Sequence, residues 1–184
     1  MATANWQTDQ PTNLNYLSPV NFDLQINKLP QTKYFCTGVT LPGVVFSEAL
    51  HSLPLAINSY LPGDKIEFDP LNVKFLVDED MKNYMEIFNW IMALGPGSDE
   101  GDFQNLTGSS KNTSGQFSNS DFSKMYSDAT LFANTSSNNA NVEFQFQDCF
   151  PTSLGSIEFN SQADGVEYAT CDLTLSYVEV RLSN

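Results

Sequence analysis

The feature that most constrains the fold is an alternation of apolar and polar residues with a period of two. Residues 21–28 alternate in this way, and so do residues 71–77 and 142–146. Side chains two positions apart point to the same face of a β-strand, so each stretch predicts a strand with one buried face. The chain is therefore expected to be mainly β, with about seven strands.

One segment has the period of a helix instead. Between Met81 and Met92 the large apolar residues are spaced by three or four positions, which places them on one helix face. The spacing predicts an amphipathic helix over about residues 79–93, with Asp78 as its N-cap. Strands predicted on both sides of this helix indicate a mainly antiparallel β-barrel or sandwich with one packed α-helix.

The remaining strands have weaker patterns. Strands are predicted over residues 34–41 and 44–50, and the first of them is expected to form a hairpin with the strand at 21–28. Pro151 and Gly155 predict a turn over residues 151–155. A single long strand is predicted over residues 166–182.

Two polar stretches organise the chain. Residues 1–18 lack any period and predict a flexible N-terminal arm, followed by a single domain over residues 19–184. Residues 95–122 are rich in Gly, Ser, Asn and Asp. Strand patterns resume after them, so they predict a long polar loop inserted in that domain.

The charge balance argues against one class of function. The chain has 22 acidic and 8 basic residues, a net charge of −14 at pH 7. A nucleic-acid binder neutralises phosphates with cations, so tight binding of nucleic acid is not expected. No apolar run reaches the roughly 18 residues that span a bilayer, so no membrane anchor is expected. Cys36, Cys149 and Cys171 are far apart and are expected to be reduced and buried, as in a cytoplasm.

Residue types that carry catalysis are scarce. His51 is the only histidine, and no nucleophile-elbow motif is present, so a Ser–His–Asp site is not predicted. A zinc site lacks ligands, and no glycine-rich phosphate-binding motif occurs. We therefore expect no enzyme, no cofactor and no metal. An acidic carbohydrate-binding or hydrolytic β-sandwich is the alternative, because paired carboxylates could occur in so acidic a chain.

The segment over residues 51–65 is predicted to be a connection, although it is rich in large apolar residues. Exposed apolar stretches mark interaction sites, whereas a loop folded over its own core would fit the pattern equally well. The interaction hypothesis predicts contacts with a neighbouring subunit from seven side chains: Val44, Phe46, Leu53, Leu55, Ile57, Tyr60 and Leu61.

Several motifs occur in a recognisable order. Leu-Pro-Gly at 41–43 is followed by Gly-Asp-Lys-Ile-Glu-Phe-Asp-Pro-Leu-Asn-Val at 63–73 and Phe-Leu-Val-Asp-Glu-Asp-Met at 75–81. Phe-Pro-Thr-Ser-Leu-Gly-Ser-Ile-Glu-Phe at 150–159 and Cys-Asp-Leu-Thr-Leu-Ser-Tyr at 171–177 come later. In this order and spacing they resemble the tail tube proteins of T-even-like contractile-tailed bacteriophages.

This resemblance covers residues 20–93 and 142–182 and implies a structural virion protein. Its tail-tube β-barrel domain would form hexameric rings that stack into the inner tube of a contractile tail. The implied partners are the tail sheath protein and the baseplate and tail terminator proteins, with DNA passing through the lumen without specific binding. The resemblance further implies assembly in the host cytoplasm and a place in the virion tail. A baseplate or tail-terminator tube subunit is the alternative within this class.

The acidic surplus has an expected use in such a tube, because a negative lumen wall would repel phosphate and keep DNA mobile. The polar positions of two predicted strands supply candidates for that wall: Glu143, Gln145, Asp172 and Thr174. Alternation defines two faces of a strand but does not identify the inner one. The insertion at 95–122 is expected to face outward, since a long loop in the lumen would obstruct DNA.

Overall fold

A computed structural model describes residues 15–52, 58–95, 124–159 and 168–183. The predicted N-terminal arm and polar insertion therefore lie almost entirely outside the described residues. The helices are α1 (Thr32–Phe35) and α2 (Lys82–Leu94). The strands are β1 (Phe22–Ile26), β2 (Cys36–Thr40), β3 (Val44–Ser52), β4 (Asn58–Phe68), β5 (Leu71–Leu76), β6 (Ser127–Asn134), β7 (Ala140–Leu154), β8 (Thr170–Ser176) and β9 (Glu179–Ser183).

Two antiparallel sheets share one strand. Sheet A consists of β1, β6, β9 and the first part of β7, and sheet B consists of β2, β5, β8 and the last part of β7. The strands are hydrogen-bonded in the order β1–β6–β7–β8–β5–β2. Among the described strands, the two at the ends of this order, β1 and β2, do not pair with each other. The predicted mainly β fold is confirmed, and its form is a sandwich rather than a closed barrel.

Strand β7 passes from sheet A to sheet B at Asp148. Through Gln147 β7 pairs with β6 and β9, Cys149 still pairs with Ser127 of β6, and from Phe150 onward β7 pairs with β8. Asp148 has a φ of 53°, a left-handed conformation that interrupts regular strand geometry. Its backbone N–H donates to the Asp128 carboxylate at 3.2 Å. The bend lets one continuous strand contribute to both layers.

The hydrophobic core lies between the two sheets. Phe146 of sheet A and Phe75 of sheet B are fully buried, and Ile87 and Trp90 of α2 pack on the same cluster. The Trp90 indole N–H donates to the Met125 carbonyl at 3.0 Å, so its polar atom is satisfied inside the core. Neither helix in the described ranges has the length and apolarity needed to cross a bilayer.

Helix α2 begins later than predicted, and its N-cap is Met81 rather than Asp78. The side chain of Asn83, and not that of Asp78, accepts hydrogen bonds from backbone N–H groups at the start of the helix. Its Oδ1 accepts the N–H groups of Tyr84 at 2.8 Å and Asp78 at 3.2 Å. Its Nδ2 donates to the Leu76 carbonyl at 2.8 Å. One buried amide thereby connects the end of β5 to the first turn of α2.

Three further predictions are wrong because pairing between distant segments overrides local pattern. β1 pairs with β6 and not with β2, so the first two strands form no hairpin. β7 continues through Pro151 to Leu154, where a turn was expected, since an edge strand accommodates proline. The long C-terminal strand is divided at Tyr177 and Val178, because β8 lies in sheet B and β9 lies in sheet A.

We expect Asn83→Ala to lower the free energy of unfolding by about 1–3 kcal/mol, because buried N–H and carbonyl groups lose their partner. Urea denaturation measures the change. Asn89→Ala is the matched control, since Asn89 is exposed on the same helix whereas Asn83 is only 1% exposed. Equal losses in the two variants would contradict the role assigned to Asn83.

The three cysteines are unpaired, with Cys149 and Cys171 buried as expected and Cys36 half-buried. Burial raises the pKa of Cys149 to about 12 and the pKa of Cys36 to about 11. An unfolded thiol ionises at about pH 8.5, so above this pH the folded chain holds protons that the unfolded chain releases. The stabilisation is therefore fully present below about pH 8.5 and declines as pH rises toward these higher values.

We expect Cys149→Ala to reduce this alkaline decline by up to about 1.4 kcal/mol per pH unit, because one proton-linked group is removed. Urea denaturation of the variant and the parent protein, compared at about pH 8 and about pH 10, measures the slope. A slope that the substitution leaves unchanged would show that Cys149 does not contribute to it.

Candidate assembly surface

The segment predicted to be a connection, residues 51–65, is largely strand. β3 and β4 pair with each other in a two-stranded sheet that is separate from sheets A and B. The prediction failed because the hairpin is exposed, so no buried face imposes the alternation that identifies a strand. Residues 53–57 lie outside the described residues. The intersubunit contacts predicted for Leu53, Leu55 and Ile57 therefore stay predictions.

The β3–β4 hairpin continues a ribbon that begins in sheet B. Thr40 of β2 pairs with Asn72 of β5, and Val44 of β3 pairs with Phe68 of β4. From Thr40 to Val44 one strand advances by four residues, and from Asn72 to Phe68 its partner goes back by four residues. The pairing register is therefore the same on both sides of the break between the two sheets. The Asp69 N–H donates to the Gly43 carbonyl at 3.1 Å and bridges the break. The hairpin is therefore a direct extension of two core strands.

The hairpin exposes large apolar side chains on both of its faces. Their exposed fractions range from 38% to 64%. Val44, Val45 and Phe46 are consecutive and point alternately to opposite faces, so neither face is covered. The full set is Val44, Val45, Phe46, Leu50, Tyr60, Leu61, Ile66 and Phe68.

Four of the predicted contact residues lie in this exposed set, namely Val44, Phe46, Tyr60 and Leu61. The other four were not predicted, although the unbroken apolar run at 44–46 places apolar side chains on both faces of a strand. A two-stranded hairpin alone is marginally stable in water, and an apolar patch of this kind is typical of an interaction site. The geometry is suited to burial against another protein surface.

The four lumen candidates divide between opposite sides of the molecule. Glu143 and Gln145 lie on the outer face of sheet A, where Gln145 is the cross-strand neighbour of Arg181. Asp172 and Thr174 lie on the outer face of sheet B, opposite Lys74 and Asn72. Because the core separates the two sheets, one bore can be lined by one pair only.

Neither of two depressions in the described surface carries the paired carboxylates that the carbohydrate alternative requires. A shallow depression on sheet B is bordered by one carboxylate, that of Asp172, and by no aromatic ring. His51 lies exposed on β3, opposite Ser59 of β4. Within the described ranges, no three His, Cys, Asp or Glu side chains are grouped as metal ligands would be.

Comparisons with known proteins agree with this architecture. The family model for phage tail tube protein matches residues 5–181. The chain is similar to the anti-feeding prophage tube-terminating cap, with a TM-score of 0.62 and 16% identity over 97% of this chain and 98% of that chain. No curated protein sequence matches it.

Two further solved structures are similar. A chain of the sheath/tube terminator of an extracellular contractile injection system gives a TM-score of 0.55 and 16% identity, over 94% of this chain and 100% of that chain. A chain of the anti-feeding prophage baseplate gives a TM-score of 0.56 and 8% identity, over 88% of this chain and 90% of that chain. At such identities these likenesses establish a shared fold.

We expect Gly63→Ala to distort the hairpin without disturbing the core. A Cβ at Gly63 would lie 2.6 Å from the Ser47 carbonyl oxygen, so the backbone must shift. The hydrogen bond from the Lys65 N–H to the Ser47 hydroxyl would be lost with it. Amide hydrogen exchange should become faster in β3 and β4 only. Gly38→Ala is the control, because its Cβ meets Lys74 at an ordinary 3.8 Å; equal exchange in both variants would contradict the prediction.

Proposed function

Because this chain belongs to the phage tail tube protein family, we propose that its copies form hexameric rings that stack into the inner tube of a contractile tail. DNA passes through this tube on ejection without specific binding. The tail sheath protein surrounds the tube, and baseplate and tail terminator proteins meet its ends. The protein is a structural component of the virion tail, assembled in the host cytoplasm, and has no enzymatic role.

The observation that carries the proposal is the β3–β4 hairpin. Its apolar side chains are exposed on both faces in the single chain, so a neighbouring copy is needed to cover them. Full burial of an exposed Leu or Phe side chain contributes about 1.5–3 kcal/mol. Each of these half-exposed side chains gains a part of this amount, and the gain is repeated at every subunit. Ring closure gives each copy the same pair of neighbours, so one hairpin contact suffices to extend the assembly.

A tube-end subunit is the second candidate. Two of the solved structures with this fold are a tube-terminating cap and a sheath/tube terminator, and both are covered almost completely by the chain. A tube-end subunit would form rings that cap a tube instead of stacking on each other. Growth from purified protein therefore distinguishes the two candidates.

We expect Leu61→Glu to abolish tube growth while the monomer stays folded, because Leu61 is half exposed and outside the core. The charge would have to be desolvated at the proposed contact. Leu61→Met is the matched control, since it keeps an apolar side chain of similar volume and should assemble. Negative-stain electron microscopy of purified protein, with and without a virion extract as seed, measures ring and tube formation.

Long hollow tubes of uniform bore from the parent protein would support the tube-body function, and single rings that bind the ends of seeded tubes would support the tube-end function. Monomers under both conditions would contradict both candidates. Normal tubes from Leu61→Glu would refute the role of the hairpin contact. Circular dichroism and urea denaturation establish that each variant is folded.

A further inference from the structure

We propose that Tyr177 is a positioning residue for assembly, and that its side chain fixes the direction in which the β3–β4 hairpin leaves sheet B. This inference rests on the proposed function, because the hairpin is the surface through which copies of the chain are proposed to join. Tyr177 itself lies outside the hairpin, between the end of β8 and the start of β9.

The hairpin loses the support of neighbouring strands where it leaves sheet B. The joint, residues 41–43 and 69–70, separates the β2–β5 pair from the β3–β4 pair. On the far side of the joint, β3 and β4 pair only with each other among the described strands. On the near side, β5 pairs with β8 as far as Leu71 and Leu175, and Pro70 has no N–H to donate to β8. A two-stranded ribbon alone is marginally stable, so side-chain contacts at the joint are needed to hold its direction.

Tyr177 directly follows the last residue of β8 and contacts the joint. Its hydroxyl donates to the Asp69 carbonyl oxygen at 2.9 Å, and the Asp69 N–H in turn donates to the Gly43 carbonyl at 3.1 Å. The ring of Tyr177 also lies against that of Phe68, the last residue of β4, with 6.1 Å between the ring centroids. Tyr177 therefore holds the hairpin by one hydrogen bond and one ring contact.

The same ring is anchored in the hydrophobic core. Its centroid lies 5.0 Å from that of Phe146 in an edge-to-face arrangement, and Phe146 is fully buried. The next residue, Val178, donates its N–H to the Gln147 carbonyl at 3.1 Å and fixes the backbone beside the ring. Because a packed core leaves little room for movement, the Tyr177 ring gives the hairpin a fixed reference.

The hydroxyl of Tyr177 stays protonated and so remains a donor. Burial raises the pKa of Tyr177, and the nearby Asp69 and Cys149 side chains raise it further. An unperturbed tyrosine ionises only near pH 10, and an ionised one cannot donate to the Asp69 carbonyl. The hydrogen bond is therefore kept over the whole neutral range.

A hairpin held in one direction assembles at a lower concentration than a hairpin that samples several. When only a fraction of the molecules present the competent direction, the apparent affinity falls by that fraction. The loss of one hydrogen bond changes such a population about two- to tenfold. Removal of the Tyr177 hydroxyl is therefore expected to raise the concentration needed for ring formation by a factor in this range.

The direction of the hairpin can be measured in dilute monomer with two spin labels and pulsed electron paramagnetic resonance. One label is attached at His51→Cys, near the far end of β3 and roughly 20 Å along the strand from the joint, so that a change of angle becomes a change of distance. The other is attached at Gln145→Cys, an exposed position of sheet A. Both changes are made in a Cys36→Ala background, because the other two native thiols are buried.

Tyr177→Phe removes the hydroxyl and keeps the ring. Tyr84→Phe is the matched control, because Tyr84 is a half-buried tyrosine that stacks on Phe88 in α2, beyond the other end of β5. We expect Tyr177→Phe to broaden or displace the distance distribution. In unlabelled protein it should raise the concentration at which rings appear in negative-stain micrographs about two- to tenfold. Tyr84→Phe should change neither, and circular dichroism verifies that both variants are folded.

A distance distribution of Tyr177→Phe that matches that of the parent protein, or an equal broadening in Tyr84→Phe, overturns the inference. A broadened distribution with an unchanged concentration for ring formation overturns it as well. A parent protein that forms no rings counts against the proposed function instead, and the distances in the monomer then still decide whether Tyr177 fixes the hairpin.

Discussion

Strand β7 is hydrogen-bonded in both layers of the sandwich, and the position of every other strand depends on this sharing. Asp148 adopts the left-handed conformation that redirects the strand, and the first buried residue after it is Cys149. The chain changes layers again between β8 and β9, where the Val178 N–H donates to the Gln147 carbonyl at 3.1 Å. The two crossings lie side by side, so they hold both sheets over a single core.

Strands with one buried face could be predicted from the sequence. β1, β5 and the first part of β7 contribute fully buried residues to the core, and each shows a clear alternation. The helix could be predicted in the same way, because burial of Ile87 and Trp90 on one side requires a spacing of three to four residues. In all these cases, burial against the core determines the spacing of apolar residues along the element.

Other features had no local signal. The pairing of β1 with β6 joins residues about a hundred positions apart, and nothing within either strand specifies its partner. The start of α2 depends on the side chain of Asn83, which contacts the end of another element. The apolar content of residues 51–65 was evident from the sequence, but the form of this segment as part of a hairpin with two exposed faces depends on the pairing of β3 with β4. The opposite placement of Glu143 and Asp172 likewise follows from topology alone.

The unbroken register between the β2–β5 pair and the β3–β4 hairpin has a mechanical consequence. A load applied along the hairpin acts in shear on the interstrand hydrogen bonds of the ribbon, whose register shifts at a β-bulge between Phe46 and Glu48. The load passes through the Asp69–Gly43 hydrogen bond into strands whose inner residues, among them Val73 and Phe75, are buried. The exposed hairpin is therefore coupled directly to the strands that form the buried core.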